Sequence, residues 1–231
     1  TEAAAPAKVT GLKQTAGGTS NVKLTWNAVV GSDIRYAIEF STDNVTWEET
    51  TTSSTPEKDV SSLTAGTRYF VRVKAVSKYN ASNREEGAYS DVIEVVTAPK
   101  VSTEKIVQTD ATSSSVSVAW NAVPGATSYD VYVYSSLLGR ENKYVGTTAG
   151  TGATITGVPA SGSYTIYVYP KKTASTTKFT AMSSINYMSK TSIVSAPSKV
   201  ALVVYDRDPR KKIGGKKNAD YKAHHPKPHS A

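Results

Sequence analysis

The 231 residues contain no Cys, which excludes disulfides and thiolate metal sites. A hydrophobic fraction of 39% suffices for packed cores, whereas only three His leave little imidazole for general acid–base work. The net charge of +8 is uneven: residues 206–231 hold eight Lys/Arg against three Asp, leaving +3 on the 205 residues before them.

The length predicts two domains, each able to bury its own core. A repeat supports this. Trp26-Asn27-Ala28-Val29 recurs as Trp120-Asn121-Ala122-Val123. Each copy ends an alternating apolar run (Val22, Leu24, Trp26; Val116, Val118, Trp120) and precedes a second run carrying Tyr36 or Tyr129. The two Trp lie 94 residues apart, a period that indicates two copies of one domain.

Residues 1–7 read as a mature N-terminus or a linker remnant. From Lys8 the pattern has period 2, and no helical period develops. Strands are predicted over 8–14, 21–28, 34–42, 46–52, 57–61, 67–77 and 90–97, separated by turn-rich pieces. Seven short strands with regular turns predict an all-β sandwich. The inward set is Leu24, Trp26, Tyr36, Ile38, Phe40, Val60, Leu63, Tyr69, Val71, Val73, Ile93 and Val95. Between these residues, Arg35, Glu39, Arg72, Lys74 and Glu94 are expected to face water.

Leu63-Thr64-Ala65-Gly66-Thr67-Arg68-Tyr69-Phe70-Val71-Arg72-Val73 comes after a Trp strand and a Tyr strand. This Leu-x-x-Gly-x-x-Tyr-x-x-x-Val pattern resembles the fibronectin type III domain. The second copy carries Val158-Pro159-Ala160-Ser161-Gly162-Ser163-Tyr164, with its Tyr at the same spacing and its Gly shifted by one. The resemblance covers roughly residues 6–205. It implies two tandem seven-stranded immunoglobulin-like β-sandwiches, and tyrosine corners at Tyr69 and Tyr164 whose hydroxyls bond nearby backbone. The expected domains are 8–98 and 99–205, with Thr97-Ala98-Pro99-Lys100 as a short linker that sets them end to end.

In the second copy, strands are predicted over 103–110, 115–122, 127–136, 142–148, 153–157, 163–171 and 198–205. The core set is Val116, Val118, Trp120, Tyr129, Val131, Val133, Ile155, Tyr164, Ile166 and Val168. Tyr132 and Tyr134 alternate with core residues on one strand, and Tyr167 and Tyr169 on its neighbour. They predict an exposed Tyr block, with Tyr144 beside it. The matching positions in the first copy, Ala37, Glu39, Phe70 and Arg72, read as a solvated face apart from Phe70. A long connection, Lys171 to about Ala196, contains Phe179, Met182, Ile185, Tyr187 and Met188. Burying one such side chain is worth about 1.5–3 kcal/mol, so Met182, Ile185 or Tyr187 is expected against the Tyr block. The candidate binding set is therefore Tyr132, Tyr134, Tyr167, Tyr169 and Tyr187.

Residues 206–231 are a basic irregular tail. Arg207, Arg210, Lys211, Lys212, Lys216 and Lys217 suit an anionic polymer, although too few aromatic residues interleave them for base stacking. His224, His225 and His229 are a weak candidate metal site with no supporting scaffold. Asn44-Val45-Thr46 and Asn80-Ala81-Ser82 match the glycosylation acceptor. Neither a nucleophile–base pair nor a phosphate-binding loop is recognisable, Glu85-Glu86 reads as a solvated charge pair, and no apolar run could span a bilayer. No cofactor is implied, and no sequence-specific nucleic acid partner.

With its Ala/Thr-rich style, the chain is similar to modules of secreted bacterial surface proteins. That resemblance implies a non-catalytic extracellular structural or adhesive protein. Its partners would be proteins or cell-surface polysaccharides. The alternatives are a carbohydrate-binding accessory module using the Tyr face, and a self-associating filament or particle subunit.

Overall fold

The structure, a computed structural model, describes residues 5–77 and 84–194. The first sandwich contains β1 (Lys13–Gly17), β2 (Val22–Thr25), β3 (Arg35–Ser41), β4 (Glu48–Ser53), β5 (Glu57–Val60), β6 (Arg68–Ser77), β7 (Glu85–Glu86) and β8 (Ile93–Val96). One sheet has the order β1-β2-β5; the other has β4-β3-β6, with β7 and β8 both pairing with β6. The second sandwich repeats this with β9 (Ile106–Ala111), β10 (Ser115–Trp120), β11 (Ser128–Tyr134), β12 (Lys143–Thr148), β13 (Gly152–Thr156), β14 (Ser163–Thr173), β15 (Thr180–Met182) and β16 (Met188–Val194). Its sheets are β9-β10-β13 and β12-β11-β14, with β15 and β16 both on β14.

Period-2 alternation puts one face of each sheet into a core. The first core joins Val9, Val22, Leu24, Trp26, Tyr36, Ile38, Phe40, Val60, Tyr69, Val71, Val73, Ala75 and Val95, with Leu63 and Ile93 partly buried against it. All ten residues of the expected second core set are buried together, joined by Ile106, Val123, Val158 and Met188. Each Trp meets a Tyr edge-on: Trp26 and Tyr36 have ring centroids 5.2 Å apart, Trp120 and Tyr129 5.4 Å. The same Tyr hydroxyls accept from backbone, Tyr36 from Val29 N and Tyr129 from Val123 N, each at 2.9 Å.

Both tyrosine corners form, with opposite polarity. Tyr69 accepts from Thr64 N at 2.9 Å, whereas Tyr164 donates to Pro159 O at 2.5 Å. The cause is local. Proline at the equivalent position has no N–H to give, so the hydroxyl turns to the carbonyl.

Two expectations need correction. Glu39, Lys74 and Glu94 do not face water: they are 8%, 8% and 4% exposed, because each is covered by groups from other elements. The 171–196 stretch is no long loop. It continues β14 to Thr173 and supplies β15 and β16. The strand beside β14 is thus Met188–Val194, and the stretch predicted as that strand, 198–205, lies outside the described residues.

Candidate functional site

On the outer face of the second sandwich, Val131, Val133, Ile166 and Val168 fill the core, so the pleat turns Tyr132, Tyr134, Tyr167 and Tyr169 outward. The register sets Tyr132 opposite Tyr167 on β14 and opposite Tyr144 on β12. The rings form a connected series. Centroid distances are 5.3 Å for Tyr144–Tyr132, 5.5 Å for Tyr132–Tyr169, 5.0 Å for Tyr169–Tyr187 and 5.5 Å for Tyr187–Tyr167. Interplanar angles of 57°, 80°, 46° and 72° make these edge-to-face or tilted contacts, the arrangement ring quadrupoles favour. Tyr132, Tyr167 and Tyr169 become half-buried, while Tyr144 and Tyr187 stay 57% and 40% exposed.

Of the three residues expected to cover the block, Tyr187 does so. Met182 and Ile185 remain exposed, at 36% and 89%. Tyr134 is exposed at the strand end, and among the described residues no ring contact reaches it. Two other apolar residues of the 171–196 stretch go elsewhere: Met188 into the second core and Phe179 to the boundary between sandwiches.

A polar rim flanks the cluster. Lys171 Nζ lies 2.5 Å from Asp130 Oδ1, Thr147 donates to the same carboxylate, and the Tyr144 hydroxyl is 2.7 Å from Thr147 Oγ1. Burial, then the neighbouring Tyr187, Tyr167 and Tyr132, push the Tyr169 hydroxyl upward from its ordinary value. It therefore stays protonated and able to donate at neutral pH. The arrangement supplies rigid contact area with hydroxyl tips.

The matching face of the first sandwich uses charge. Glu39 and Arg72 are cross-strand partners, with Arg72 Nη2 2.7 Å from Glu39 Oε2. The Arg72 guanidinium carbon sits 4.2 Å from the Trp47 ring centroid and 3.9 Å from that of Tyr89. The Tyr89 hydroxyl donates to Glu39. Lys74 reaches Glu86 at 2.7 Å and lies over the Tyr89 ring. Sequence reasoning missed Trp47 and Tyr89 as partners. The available signal was that Trp47 falls outside the repeated Trp positions and needs a different burial site.

The two sandwiches share a joint. Val96 and Ala98 bury with Ala174 and Ala181, and Phe179 packs against them. The Glu94 carboxylate accepts from Ser175 N, Ser175 Oγ, Thr176 N and Thr176 Oγ1 at 2.7–3.2 Å. Desolvation would raise its pKa, but these donors outweigh that effect and hold it below the ordinary value. Asn186 clamps the linker, donating to Pro99 O and accepting from Val101 N. Gly66 and Gly125 meet backbone to backbone: a Cβ on Gly125 would fall 2.2 Å from Gly66 O.

The candidate tail residues, Arg207 through Lys217 and His224, His225 and His229, lie outside the described residues, as does Asn80-Ala81-Ser82. Among the described residues no group of three His, Asp or Glu is placed to hold a metal, and no helix is long and apolar enough to cross a membrane.

Residues 5–91 match the family model of the fibronectin type III domain. The first sandwich is a fibronectin type III domain. The second repeats its strand order and its Trp–Tyr and tyrosine-corner contacts. Solved structures similar to the chain include a segment of two fibronectin type III domains from chicken tenascin. It is 16% identical, with 79% of this chain and 97% of that one covered and a TM-score of 0.38. Another comprises the first to third such domains of chicken CNTN1, at 16% identity, 85% and 70% coverage and a TM-score of 0.46. A third is the sixth such domain of human fibronectin type III domain containing protein 3, at 17% identity, 44% and 94% coverage and a TM-score of 0.35. Fibronectin type III modules are in general scaffolds rather than enzymes, and they point to a structural or protein-binding role.

Proposed function

We propose that the chain is a non-catalytic, extracellular adhesive protein whose two sandwiches act as a joined support for a docking face. That face is the Tyr144–Tyr132–Tyr169–Tyr187–Tyr167 series, and its partner is a protein surface. The observation that carries the reading is the packing of the rings on one another. Tyr anchors with low side-chain entropy and a polar tip are favoured at protein interfaces. Mutual tilts of 46–80° present edges and hydroxyls in alternation. A sugar ring stacks on an open aromatic face, whereas Tyr132, Tyr167 and Tyr169 are half-buried against neighbouring rings, which favours a protein over a polysaccharide partner.

The test compares the protein with a Tyr169→Ala/Tyr187→Ala variant on immobilised panels of extracellular proteins and polysaccharides, with folding checked by circular dichroism. Loss of protein capture by at least tenfold in a folded variant supports the reading. Binding confined to polysaccharides, and lost in the variant, would favour the carbohydrate-binding alternative.

A further inference from the structure

The β3–β4 and β11–β12 hairpins occupy the same place in their sandwiches. Phe40 and Val133 each lie four residues after the Tyr that meets their Trp. Across the ladder Phe40 pairs with Glu48, and Val133 with Lys143. One structural position therefore carries opposite charge in the two sandwiches. The residues around it extend the contrast. The first hairpin bears Asp43, Glu48 and Glu49, all exposed, and residues 41–49 hold no cation. The second bears Arg140 and Lys143, with Glu141 between them, all exposed.

Each hairpin also has an ordered turn that holds an apolar side chain in water. Asp43 Oδ1 accepts from Val45 N and Thr46 N, both at 2.8 Å, and Val45 stays exposed. Ser135 Oγ accepts from Leu137 N at 3.2 Å, and Ser135 O accepts from Leu138 N and Arg140 N at 3.0 and 3.3 Å. Leu138 packs against its own core, which leaves Leu137 56% exposed. A turn already fixed in this way has little conformational freedom left to lose on contact. Beside the first hairpin lies a cavity of about 310 Å³, lined by Phe40, Leu63 and Tyr69 with Thr46, Glu48 and Thr50. Beside the second lies one of about 380 Å³, lined by Val133, Ile155 and Val158 with Lys143. Charge decides which turn suits which cavity. The second turn placed at the cavity of another second sandwich sets Arg140 against Lys143. The first turn placed at another first cavity sets Asp43 against Glu48. Only the crossed pairing brings opposite charges together.

We propose that copies of this chain join head to tail. Leu137 on the β11–β12 turn of one copy seats in the cavity lined by Phe40, Leu63 and Tyr69 of the next, with Arg140 and Lys143 facing Glu48 and Glu49. Two different surfaces meet, so the contact is heterologous, and every added copy leaves one turn and one cavity to continue an open chain. This goes beyond the adhesive reading and does not depend on it, because none of the residues that carry it belongs to the Tyr series.

The test is sedimentation velocity of the full chain at about 0.05 M salt, where surface charges are weakly screened. The sedimentation coefficient of the unsubstituted chain should climb with concentration past that of a dimer, and fall back at about 0.5 M salt. Arg140→Glu/Lys143→Glu and Glu48→Lys/Glu49→Lys, each checked for folding by circular dichroism, should each weaken self-association at least tenfold. The first variant has two acidic sites and the second two basic ones, so an equimolar mixture should assemble again by alternation. An unsubstituted chain that stays monomeric or stops at a dimer, association that survives either reversal, or a mixture that stays monomeric would overturn the proposal. If a reversed variant does not fold, Leu137→Asp at its exposed turn position takes its place: loss of assembly supports the contact, and assembly unchanged from the unsubstituted chain overturns it.

Discussion

The outer faces of the two larger sheets solve one problem in two ways. Strands β3 and β6 in the first sandwich, and β11 and β14 in the second, share a register. Yet one face is a charge network and the other an aromatic cluster. In the first, Glu39, Arg72 and Lys74 are closed over by Trp47, Tyr89 and Glu86. In the second, Tyr132, Tyr167 and Tyr169 are closed over by Tyr187 and flanked by Tyr144. The fold therefore dictates the inner faces and leaves the outer ones free. A charge network saturates its own hydrogen bonds inside one module, whereas ring edges and hydroxyls retain capacity for a partner. This difference is why the docking face is proposed for the second sandwich.

The comparison rests first on the cores being equivalent. Trp26→Ala and Trp120→Ala should each cost about 3–5 kcal/mol, read from urea midpoints, since both side chains are 6% exposed. Unequal costs, or loss of both sandwiches in one transition, would show that the joint and not the individual core governs stability.

The contrast itself is sharpened by Arg72→Ala. Breaking a buried ion pair by removing one partner costs about 3–5 kcal/mol. Because the Arg72 side chain retains 26% exposure, screening reduces the expected loss to about 2–3 kcal/mol. Tyr167→Ala on the other face should lose about 1–2 kcal/mol of ring contact and burial. Raising salt from about 0.05 to about 0.5 M should lower the first midpoint more than the second.

The joint should respond to acid. The Glu94 pKa is held below its ordinary 4.5, so its contribution is complete above about that pH and disappears as pH falls through the lowered value. Glu94→Gln should weaken the joint by about 1–2 kcal/mol at pH 7 and remove much of that acid dependence. Calorimetry checks both. A joint unaffected by Glu94→Gln would leave the apolar Val96–Ala181 cluster as its main support.

The smallest effect separates the two corners. Tyr69→Phe removes the acceptor of the Thr64 N–H, and Tyr164→Phe removes a donor to the Pro159 carbonyl. Both should cost about 0.5–1.5 kcal/mol, with Tyr69→Phe the larger, because a second lone pair makes an under-satisfied carbonyl easier to tolerate. The reverse order in urea would mean that the change of polarity has no energetic consequence.

Much of this was readable in the sequence. The cores came from strict alternation around Trp26 and Trp120, and the tyrosine corners from the spacing that ends at Tyr69 and Tyr164. The outer face of the first sandwich was not readable. Glu39, Arg72 and Lys74 alternate with core residues as solvated residues would, and their covers come from Trp47, Glu86 and Tyr89 on other elements. The strand beside β14 was not readable for a related reason. Val200–Tyr205 has far stronger local β character than Met188-Ser189-Lys190-Thr191-Ser192-Ile193-Val194. Pairing with β14, together with burial of Met188, selects the weaker segment. The joint is made of Ala174, Ala181 and short hydroxyl residues, types that carry no periodic signal.

The Gly66–Gly125 approach bears on how the pair would behave under load. Contact between two bare backbones is a hard stop, since repulsion rises steeply and no side chain can yield. Bending toward that contact meets a wall, while bending away must pull Glu94 from its donors and Asn186 from the linker. The pair should therefore transmit force as a stiff rod with a set angle. A single methyl at Gly125 would act as a wedge, redirecting everything attached beyond it without touching either core.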